Sequence, residues 1–348
     1  MLNILKNKKV FVTGHTGVKG VWLTNMLLKL GAEVKGYALN PDNQPNHFYE
    51  INNNIENDFN DIRDFYSLYK SIKDFQPDII YHMAAQPLVR ESYRKPFYTY
   101  DVNVKGTLNL LEIFKELVGI NNLVVITTDK VYKSKEQDIG YVEEDELHGF
   151  DPYSNSKSII ELMVDSYRNS VLNKTFKKVI TVRAGNIICG GDWCKDRIVP
   201  DIIRSIYEGD ELEIRSPNAV RPFTHVLDIC YGYILAGGYL LENDFNYLST
   251  SWNFGSKAED KMTILELLKN VEGIIPDLYY DIHENDDMHE TKTLLLNSDK
   301  ARDQLSWSNL LDKKDMVKWT IQWYKEYYEK GNVITEKQID DYFELVGE

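Results

Sequence analysis

The chain has 348 residues, of which 43% are hydrophobic and 27% charged, a composition typical of a globular enzyme with one large domain or two closely joined ones. Its net charge of −14 argues against nucleic acid or an anionic membrane surface as the main partner. We find no signal-peptide pattern, and the longest mostly apolar stretch, residues 229–241, is too short to span a bilayer. Because the three cysteines Cys189, Cys194 and Cys230 suggest neither a disulfide framework nor a metal site, we expect a cytoplasmic protein that binds no metal.

A glycine-rich turn follows the first predicted strand. Residues 9–13 form a short apolar strand, and residues 21–30 have a helical pattern. Between a strand and a helix, glycines spaced G-x-x-G-x-x-G let the backbone approach a pyrophosphate at the helix N-terminus, although an ordinary strand–helix turn is the alternative. The predicted dinucleotide-binding residues of this turn are Gly14, His15, Thr16, Gly17, Val18, Lys19 and Gly20.

The end of the second predicted strand leaves the type of dinucleotide open. Residues 33–39 form this strand, but neither an acid for a ribose hydroxyl nor a base for a 2′-phosphate stands at its tip. Asn40 or Asp42 is available for the ribose. Further on, Asp61 and Ile62 are positioned to border an adenine ring, with a solvated helix cap as the alternative.

The alternation of strands and helices continues and predicts the fold class. Residues 77–86 form the next strand and turn, in which the small residues Ala84 and Ala85 would let a cofactor lie against the backbone. A long amphipathic helix covers residues 99–117, and residues 123–126 form another buried strand. We therefore predict an α/β protein with a Rossmann-type, doubly wound parallel sheet.

The chemistry is expected where residues 123–126 end. Thr127, Thr128, Asp129 and Lys130 follow this strand directly, and chemistry in open α/β sheets gathers at the carboxyl ends of strands. Downstream, Tyr153 and Lys157 share one face of a helix start, and a nearby ammonium would lower the pKa of the phenol and suit it to act as a base. A Tyr-x-x-x-Lys pair also occurs by chance. We predict a catalytic pair here because it follows both the glycine-rich turn and the Thr-Thr-Asp-Lys segment in the chain.

The second half of the chain has a different character. Residues 179–183 form another buried strand, which ends near Asn186 and a Gly-Gly-Asp-Trp loop. Several arginines follow in an otherwise acidic chain, and two or more of them would clamp a diphosphate, although a single arginine is more often a surface charge. Residues 262–348 have a mainly helical pattern. We predict a dinucleotide-binding domain over residues 1–180 and a smaller mixed α/β substrate-binding part over residues 181–348, with some elements returning to the first domain.

Together these motifs resemble the extended short-chain dehydrogenase/reductases that act on nucleotide sugars, and within them the CDP-glucose 4,6-dehydratases. The resemblance spans nearly the whole chain, and its most specific part is the Thr-Asp-Lys triplet that ends at Lys130. Related dTDP-glucose and GDP-mannose dehydratases have Glu at that last position, and epimerases usually lack the acid before it. The chain departs from the family pattern at Val18, Val131, Cys189 and Ser306, none of which removes a catalytic group. The matching segments are VTGHTGxKGxWL (12–23), AAQPLVR (84–90), TTDKxY (127–132), RAGN (183–186), GGDW (190–193), RPxxHV (221–226) and SxKAR (298–302).

The resemblance implies NAD-dependent removal of water from a nucleotide-activated hexose, with CDP-glucose as the expected substrate. In that scheme Tyr153 takes the proton of the sugar 4-hydroxyl, Lys157 supports Tyr153 and holds the nicotinamide ribose, and Thr128 bonds the 4-oxygen. Lys130 then removes the C5 proton and Asp129 protonates the departing 6-hydroxyl. The product is a 4-keto-6-deoxy sugar.

The resemblance also implies the other contacts of the two ligands and the assembly state. A homodimer is expected, paired through the helices at residues 99–117 and 153–169. Cofactor contacts are expected, beyond the glycine-rich turn, from Asn40, Asp61, Ile62, Ala84, Ala85, Gln86, Asn103, Thr127, Tyr153 and Lys157. Substrate contacts are expected from Gln86, Arg90, Asn186, Arg197, Ile198, Arg204, Arg215, Arg221 and His225.

Two other functions stay open at this point. A nucleotide-sugar epimerase or decarboxylase would use the same fold, but neither reaction needs an acid such as Asp129 for a 6-hydroxyl leaving group. A cofactor-sensing binding protein without catalysis would have no use for Thr128, Tyr153 and Lys157 together. Reduction of bound NAD by a nucleotide sugar would separate an enzyme from such a sensor.

Overall fold

A seven-stranded sheet forms the centre of the protein. The computed structural model describes residues 2–42, 44–51, 55–135, 139–214, 216–244, 250–276, 278–282 and 294–347. The strands within these ranges are β1 Lys9–Thr13, β2 Glu33–Ala38, β3 Glu56–Phe59, β4 Ile79–His82, β5 Asn122–Ile126, β6 Lys178–Ala184, β7 Ile187–Ile188, β8 Glu213–Ile214, β9 Val220–Arg221, β10 Thr224–His225, β11 Ser251–Phe254, β12 Met262–Thr263 and β13 Asp281–Ile282.

The topology of the large sheet is that of a doubly wound fold. Its strand order is β11-β6-β5-β4-β1-β2-β3, and all of its pairings are parallel. The order reverses between β1 and β4, which opens a crevice at the carboxyl ends of these two strands. The predicted α/β, Rossmann-type fold is confirmed. The four-residue strands β3 and β11 are absent from the predicted elements, because such short segments carry little periodicity of their own.

Helices cover both faces of the sheet and form an additional layer at the C-terminal end. Short 3₁₀ turns occur at Leu2–Leu5, Asp129–Val131 and Ala258–Asp260, and π turns at Asp101–Lys105 and Tyr167–Val171. The α-helices of the described ranges are α1 Val18–Lys29, α2 His47–Glu50, α3 Phe65–Phe75, α4 Val89–Arg94, α5 Pro96–Tyr100, α6 Gly106–Glu116, α7 Pro152–Ser166, α8 Ile198–Glu208, α9 Val226–Glu242, α10 Ile264–Glu272, α11 Asp299–Leu305, α12 Lys313–Lys330 and α13 Thr335–Val346.

The helix predicted for residues 99–117 is longer than expected and contains an irregularity. It starts at Pro96, a favoured residue for the first helical position, and runs through α5, the π turn Asp101–Lys105 and α6. The π turn contains Asn103, whose side chain is buried. Such single-turn π segments often occur at functional sites.

Alternate residues of the central strands enter two separate cores. Val10 and Val12 of β1 pack in one core with α1 and α9, whereas Phe11 packs in the other with α3, α6 and α7. Helix α9 contains the long apolar stretch of the sequence and packs against α1, β5 and β6. Within the described residues, the length and apolarity needed to cross a membrane do not occur together in any helix.

The predicted boundary near residue 180 crosses a strand of the sheet. Strand β6 begins before it and ends after it, and β11, from the second half of the chain, pairs with β6 at the sheet edge. Helices α9 and α13 also contact α1. That residues 1–180 bind the dinucleotide and residues 181–348 bind the substrate stays a prediction.

A buried carboxylate joins α9 to the C-terminal helices. Asp228 Oδ1 accepts hydrogen bonds from the backbone N–H of Leu310 at 2.9 Å and from the Tyr342 hydroxyl at 2.8 Å, and its backbone carbonyl accepts one from the Trp307 indole at 2.8 Å. Oδ2 has no hydrogen-bond partner. Burial therefore raises the pKa of Asp228 from 3.8 to about 6.

We predict that Asp228→Asn raises the free energy of unfolding near pH 8 by more than it does near pH 5. The folded-state pKa lies above the ordinary value, so the stabilising contribution of this group is present below about pH 4 and is lost as the pH rises through about 6. Asparagine keeps the accepting oxygen and removes the buried charge. Urea unfolding at both pH values measures the difference.

The matched control is Asp228→Ala, which loses both side-chain hydrogen bonds and should be less stable at either pH. Lower stability of Asp228→Asn than of the unchanged protein near pH 8 would show that the carboxylate charge is favourable.

Candidate active site

The glycine-rich turn between β1 and α1 fits the diphosphate of a dinucleotide. Gly14 has a φ of +74°, and a Cβ on it would lie 2.7 Å from the backbone N of Ala84. A Cβ on Gly20 would lie 2.2 Å from the carbonyl oxygen of Gly14. These two glycines thus allow the turn, the end of β4 and α1 to pack closely. Gly17 is the exposed N-cap of α1 and has no side chain over the first-turn N–H groups, which suits them to bind an anion.

The rest of the turn connects it to neighbouring strand ends. The Thr13 hydroxyl accepts hydrogen bonds from the backbone N–H groups of Met83 and Ala84 at 3.1 and 3.2 Å. Thr16 Oγ1 donates to the Leu39 carbonyl at 3.1 Å. Ala84 and the following Ala85 are half-buried. The turns after β1, β2 and β4 are therefore held together at the crevice.

His15 supports this turn from below. Its ring is buried under β2, where a Cβ on Gly36 would come within 2.4 Å of it, and it packs against Phe48 and Phe59 at centroid distances of 5.3 and 6.2 Å. Burial lowers its pKa to about 4, so the ring is neutral near pH 7. His15, a residue predicted to contact the cofactor, thus packs behind the glycine-rich turn and supports it.

The expected adenine end contains a compact charge cluster. The Arg63 guanidinium pairs with Asp61 at 2.7 Å and with Asp101 at 2.8 Å. Ile62 between them is buried against Gly106, where a Cβ would lie 2.7 Å from it. Two carboxylates thus neutralise Arg63, which disfavours this edge as a site for a 2′-phosphate. On the ribose side, Asn40 Oδ1 accepts a 2.5 Å hydrogen bond from the Tyr49 hydroxyl.

Three predicted ligand-binding side chains are used within the protein. Gln86 donates to Thr99 Oγ1 at 2.9 Å and accepts from the Leu88 N–H at 2.6 Å, both close to its own turn. Asn103 accepts from the Gln86 N–H at 2.8 Å and donates to Ser156 Oγ at 2.9 Å and to the Gln86 carbonyl at 3.2 Å. These carboxamides hold the turn after β4.

Thr127 is the third such residue, because it is buried and its hydroxyl donates to Glu161. The Gln86, Asn103 and Thr127 side chains therefore support the surrounding turns, and their ligand contacts stay predictions. Each of these side chains already forms hydrogen bonds with partners that the fold brings close to it.

The catalytic segment forms a 3₁₀ turn immediately after β5. Thr128 is its N-cap and donates to Asp129 Oδ1 at 2.9 Å. The Lys130 ammonium donates to the same oxygen at 3.1 Å and to Asn186 Oδ1 at 3.2 Å. A hydroxyl and an amine thus share one carboxylate oxygen, and the predicted residue Asn186 joins them from the turn after β6.

Tyr153 and Lys157 lie in the first turns of α7 and face the same edge of the sheet. Burial raises the pKa of Tyr153 to about 12, although its hydrogen bond with Thr128 acts in the opposite direction. Lys157 Nζ donates to the Ile126 carbonyl at 3.1 Å, and burial together with the charge of Lys19 lowers its pKa to about 8. The expected lowering of the tyrosine pKa is therefore not seen, because loss of water around the phenol outweighs its neighbours.

Lys19, in the first turn of α1, connects the cofactor side of the crevice to the substrate side. Burial lowers its pKa to about 8, and the charges that act on its ammonium include those of Arg197, Asp129 and Lys130. Val18 precedes it as the first, half-buried residue of the helix. A cation at this point favours an anionic ligand next to the catalytic segment.

Two of the arginines predicted to contact the substrate lie near this crevice. Arg197 pairs with Asp192 at 2.7 Å, and its charge acts on Tyr153 and Lys19. Arg90, at the start of α4, pairs with Asp196 at 2.6 Å and so connects the turn after β4 to the loop before α8. Ile198, half-buried, is the first residue of α8 next to Arg197.

The other predicted substrate residues have different environments. Arg204 is mostly buried and donates to the Trp193 carbonyl at 3.2 Å, and His225 is fully buried between Trp22 and Trp319. Both side chains pack within the protein, and their substrate contacts stay predictions. Arg221, in β9, is half-buried, with a 3.3 Å hydrogen bond to the Val220 carbonyl. Arg215 lies outside the described residues.

Helix α12 supplies support that the sequence analysis missed. The Tyr324 hydroxyl donates to the Asp192 carbonyl at 2.6 Å and accepts from the Asp192 N–H at 2.9 Å, so one phenol holds the turn that positions Arg197. The Trp193 indole donates to the Tyr328 hydroxyl at 3.2 Å. The aromatic-rich pattern of residues 307–328 predicts a helix core but carries no signal for this long-range contact.

Among the residues that the structure describes, no cluster of three or more His, Cys, Asp or Glu side chains has a geometry suited to a metal ion. The crevice brings acid, amine and hydroxyl groups around Thr128 next to a glycine-rich turn that fits a dinucleotide. This combination suits oxidation of an alcohol followed by proton transfers at neighbouring atoms.

Comparison with known proteins identifies relatives along the whole chain. Residues 11–320 match the model of the GDP-mannose 4,6 dehydratase family. CDP-glucose 4,6-dehydratase of Salmonella typhimurium is 39% identical over 350 residues, which cover 98% of this chain and 97% of that protein. UDP-glucose 4-epimerase of Mycoplasma genitalium is 25% identical over 310 residues, covering 82% of this chain and 88% of the epimerase.

Solved structures share the fold. The dTDP-glucose 4,6-dehydratase of Bacillus anthracis, crystallised in complex with NAD, has a TM-score of 0.77 and 22% identity, with 92% of this chain and 98% of that chain covered. Both the family model and the 39% identical relative extend over the sheet, the crevice and the catalytic segment. This chain therefore belongs to the GDP-mannose 4,6 dehydratase family.

Proposed function

We propose that this protein is an NAD-dependent hydro-lyase that converts CDP-D-glucose to CDP-4-keto-6-deoxy-D-glucose for deoxysugar and surface-polysaccharide biosynthesis. The observation that carries the proposal is the Asp129–Lys130 pair, 3.1 Å apart beside Thr128. Loss of a 6-hydroxyl needs a base for the C5 proton and an acid for the leaving oxygen, and an epimerase needs neither. The CDP-glucose specificity is supported by the Salmonella relative.

Tyr153 and Thr128 act on the 4-hydroxyl of the sugar. Tyr153 takes the hydroxyl proton as a phenolate, and Thr128, which hydrogen-bonds Tyr153, holds the 4-oxygen in line. The Lys157 ammonium lies one helical turn from Tyr153 and favours its ionised form. The glycine-rich turn at Gly14, Gly17 and Gly20 would hold NAD, which would supply a hydride acceptor for C4 and a hydride donor for C6.

Asp129 and Lys130 act on C5 and C6. Once C4 is a ketone, the C5 hydrogen is acidic, and Lys130 accepts it after passing its own proton to Asp129 through their hydrogen bond. Asp129 then gives a proton to the departing 6-oxygen as a neutral acid. Lys130 and Asp129 are adjacent and hydrogen-bonded, so two neighbouring side chains would handle both proton transfers of the elimination.

Arg197 and Arg90 bind the diphosphate of the substrate. An arginine has five N–H donors, and the Asp192 contact of Arg197 uses one of its nitrogens. Lys19 adds a third positive charge between this pair and the catalytic segment. In a chain with a net charge of −14, these local cations provide the attraction for a nucleotide sugar.

The substrate proposal is tested by turnover of the purified protein with NAD and CDP-glucose, followed by absorbance of the 4-keto product in alkali. We expect product from CDP-glucose and none from dTDP-glucose or GDP-mannose. Since the cofactor is regenerated in every cycle, we also expect nucleotide to copurify, which an absorbance scan detects. If protein that contains NAD formed no 4-keto product from any of the three sugars, the proposed reaction would be contradicted, but the proposed cofactor would not.

We predict that Lys130→Met lowers product formation by about 10²–10⁴-fold, because the base for the C5 proton is gone. Incorporation of solvent deuterium at C5, followed by NMR, should be lost as well, while calorimetric affinity for CDP-glucose changes little. Lys133→Met is the matched control, since Lys133 lies in the same loop but pairs with Glu146 at the surface. Equal product from Lys130→Met and Lys133→Met would make the base assignment wrong.

We propose that the protein forms a cytoplasmic homodimer. Exposed apolar side chains lie on the helices expected to pair, namely Phe97 on α5, Leu108 on α6 and Leu162 on α7. The three cysteines, which lie in the described part of the chain, are free thiols, in keeping with a reducing compartment. A surface of this kind would be covered by the same surface of a second copy.

We predict that Leu162→Glu converts the dimer to a monomer, because it places a charge in the apolar interface. Light scattering after size-exclusion chromatography measures the mass. Leu345→Glu is the matched control, since Leu345 on α13 is 55% exposed and Leu162 is 58% exposed. A monomeric unchanged protein, or a dimeric Leu162→Glu variant, would contradict this pairing.

A further inference from the structure

A buried ion pair lies directly behind the catalytic segment. Glu161 of α7 and Arg183 of β6 are each about 4% exposed, and the Arg183 guanidinium donates to both carboxylate oxygens, at 2.9 Å from Nε and 2.8 Å from an Nη. Neither residue enters the proposed chemistry. A buried pair of this kind costs desolvation, and hydrophobic residues would often fill the space with equal stability. What the pair provides is fixed bidentate geometry.

The pair holds the start of the catalytic segment. The Thr127 hydroxyl, directly before Thr128, donates to Glu161 Oε1. The Thr181 hydroxyl, on the adjacent strand β6, donates to Oε2 of the same carboxylate at 2.7 Å. The carboxylate therefore accepts hydrogen bonds from the end of β5 and from β6 while it belongs to α7.

The pair also holds the end of the catalytic segment. The other Nη of Arg183 donates to the Tyr132 hydroxyl at 2.6 Å and to the Glu143 carbonyl at 2.9 Å. The Tyr132 hydroxyl in turn donates to Asn253 Oδ1 at 2.8 Å, which connects it to β11. Residues 127–132 are therefore bound at both ends to one ion pair, and Thr128, Asp129 and Lys130 lie between the two attachments.

The same pair connects this segment to the helix of Tyr153 and Lys157. Glu161 follows Lys157 by one helical turn, on the same side of α7. A shift of the carboxylate would therefore move both halves of the catalytic set. We propose that Glu161 and Arg183 are positioning residues that set residues 127–132 against Lys157 for the reaction, a role that rests on the proposed function.

The electrostatics around Lys157 support this role. Burial lowers the pKa of Lys157 to about 8, the charge of Lys19 on α1 acts in the same direction, and the negative charge of Glu161 opposes both. His82 of β4 also lies near Lys157, and burial lowers its pKa to about 3, so it is neutral. Tyr153 also lies on this side of α7, and burial raises its pKa to about 12. Arg183 pairs with Glu161 at 2.8 Å and carries the opposite charge. Glu161 is therefore the negative charge that helps keep the lysine ammonium protonated.

The first test is Glu161→Gln. Without the negative charge, Lys157 loses its proton at a lower pH, so the alkaline limb of the kcat–pH profile should move to lower pH while kcat falls. A merely structural defect would lower kcat at every pH and leave the limb in place. An unmoved limb would overturn the electrostatic part of the proposal.

The second test compares three variants that each remove one hydroxyl from the network. Thr127→Val and Tyr132→Phe release the start and the end of the catalytic segment, and Thr181→Val is the matched control, which loses a hydrogen bond to the same carboxylate without touching the segment. We expect kcat to fall about ten- to hundredfold in the first two variants and to change less than about twofold in the control. Unfolding midpoints of Thr127→Val and Thr181→Val should be similar.

Hydrogen–deuterium exchange provides a readout that needs no substrate. Backbone amides of residues 127–132 should exchange faster in Thr127→Val and Tyr132→Phe than in Thr181→Val. Equal exchange in all three variants would overturn the positioning role. Absence of turnover in the unchanged protein would instead contradict the proposed function, and the exchange data would still decide the positioning. If Glu161→Gln fails to fold, the hydroxyl variants carry the test.

Discussion

Parallel pairing of β1, β4, β5 and β6 is the constraint on which the rest of the structure depends. Because parallel strands end at the same edge, the glycine-rich turn, the turn after β4, the catalytic segment and Asn186 all meet there. The reversal of strand order beside β1 opens the crevice between them. Helices on both faces bury the strands, so this edge is where polar side chains from several strands come together.

The side chains at this edge include several positive charges, although the whole chain is negatively charged. The protein carries a net charge of −14, yet Lys19, Lys130, Lys157 and Arg197 gather around the crevice. Burial there raises the pKa of Tyr153 to about 12 and lowers the pKa values of Lys19 and Lys157 to about 8, so these two lysines are close to losing a proton. Groups that are close to losing or gaining a proton are suited to repeated proton transfer.

Carboxylates occupy the arginines that the proposed substrate would use. Asp192 holds Arg197, and Asp196 holds Arg90, at 2.7 and 2.6 Å. These contacts keep the guanidinium groups at the crevice and reduce the cost of their partial burial. A diphosphate would compete with the two carboxylates, and its greater charge and bidentate geometry favour it. Tyr324 keeps the Asp192 turn in position from the C-terminal layer.

The sequence by itself determined the fold class, the glycine-rich turn and the catalytic segment, because each depends on local patterns: strand runs, glycine spacing and adjacent polar residues. Only the tertiary structure decided which polar side chains are available. Gln86 and Asn103 lie in suitable segments, but the Gln86 side chain bonds Leu88 and Thr99, and the Asn103 side chain bonds Gln86 and Ser156. Glu161 and Arg183 are 22 residues apart, and neither shows a partner until β6 and α7 pack together. Hydrogen-bond partners that are distant in sequence leave no local pattern, so they could not be read from it.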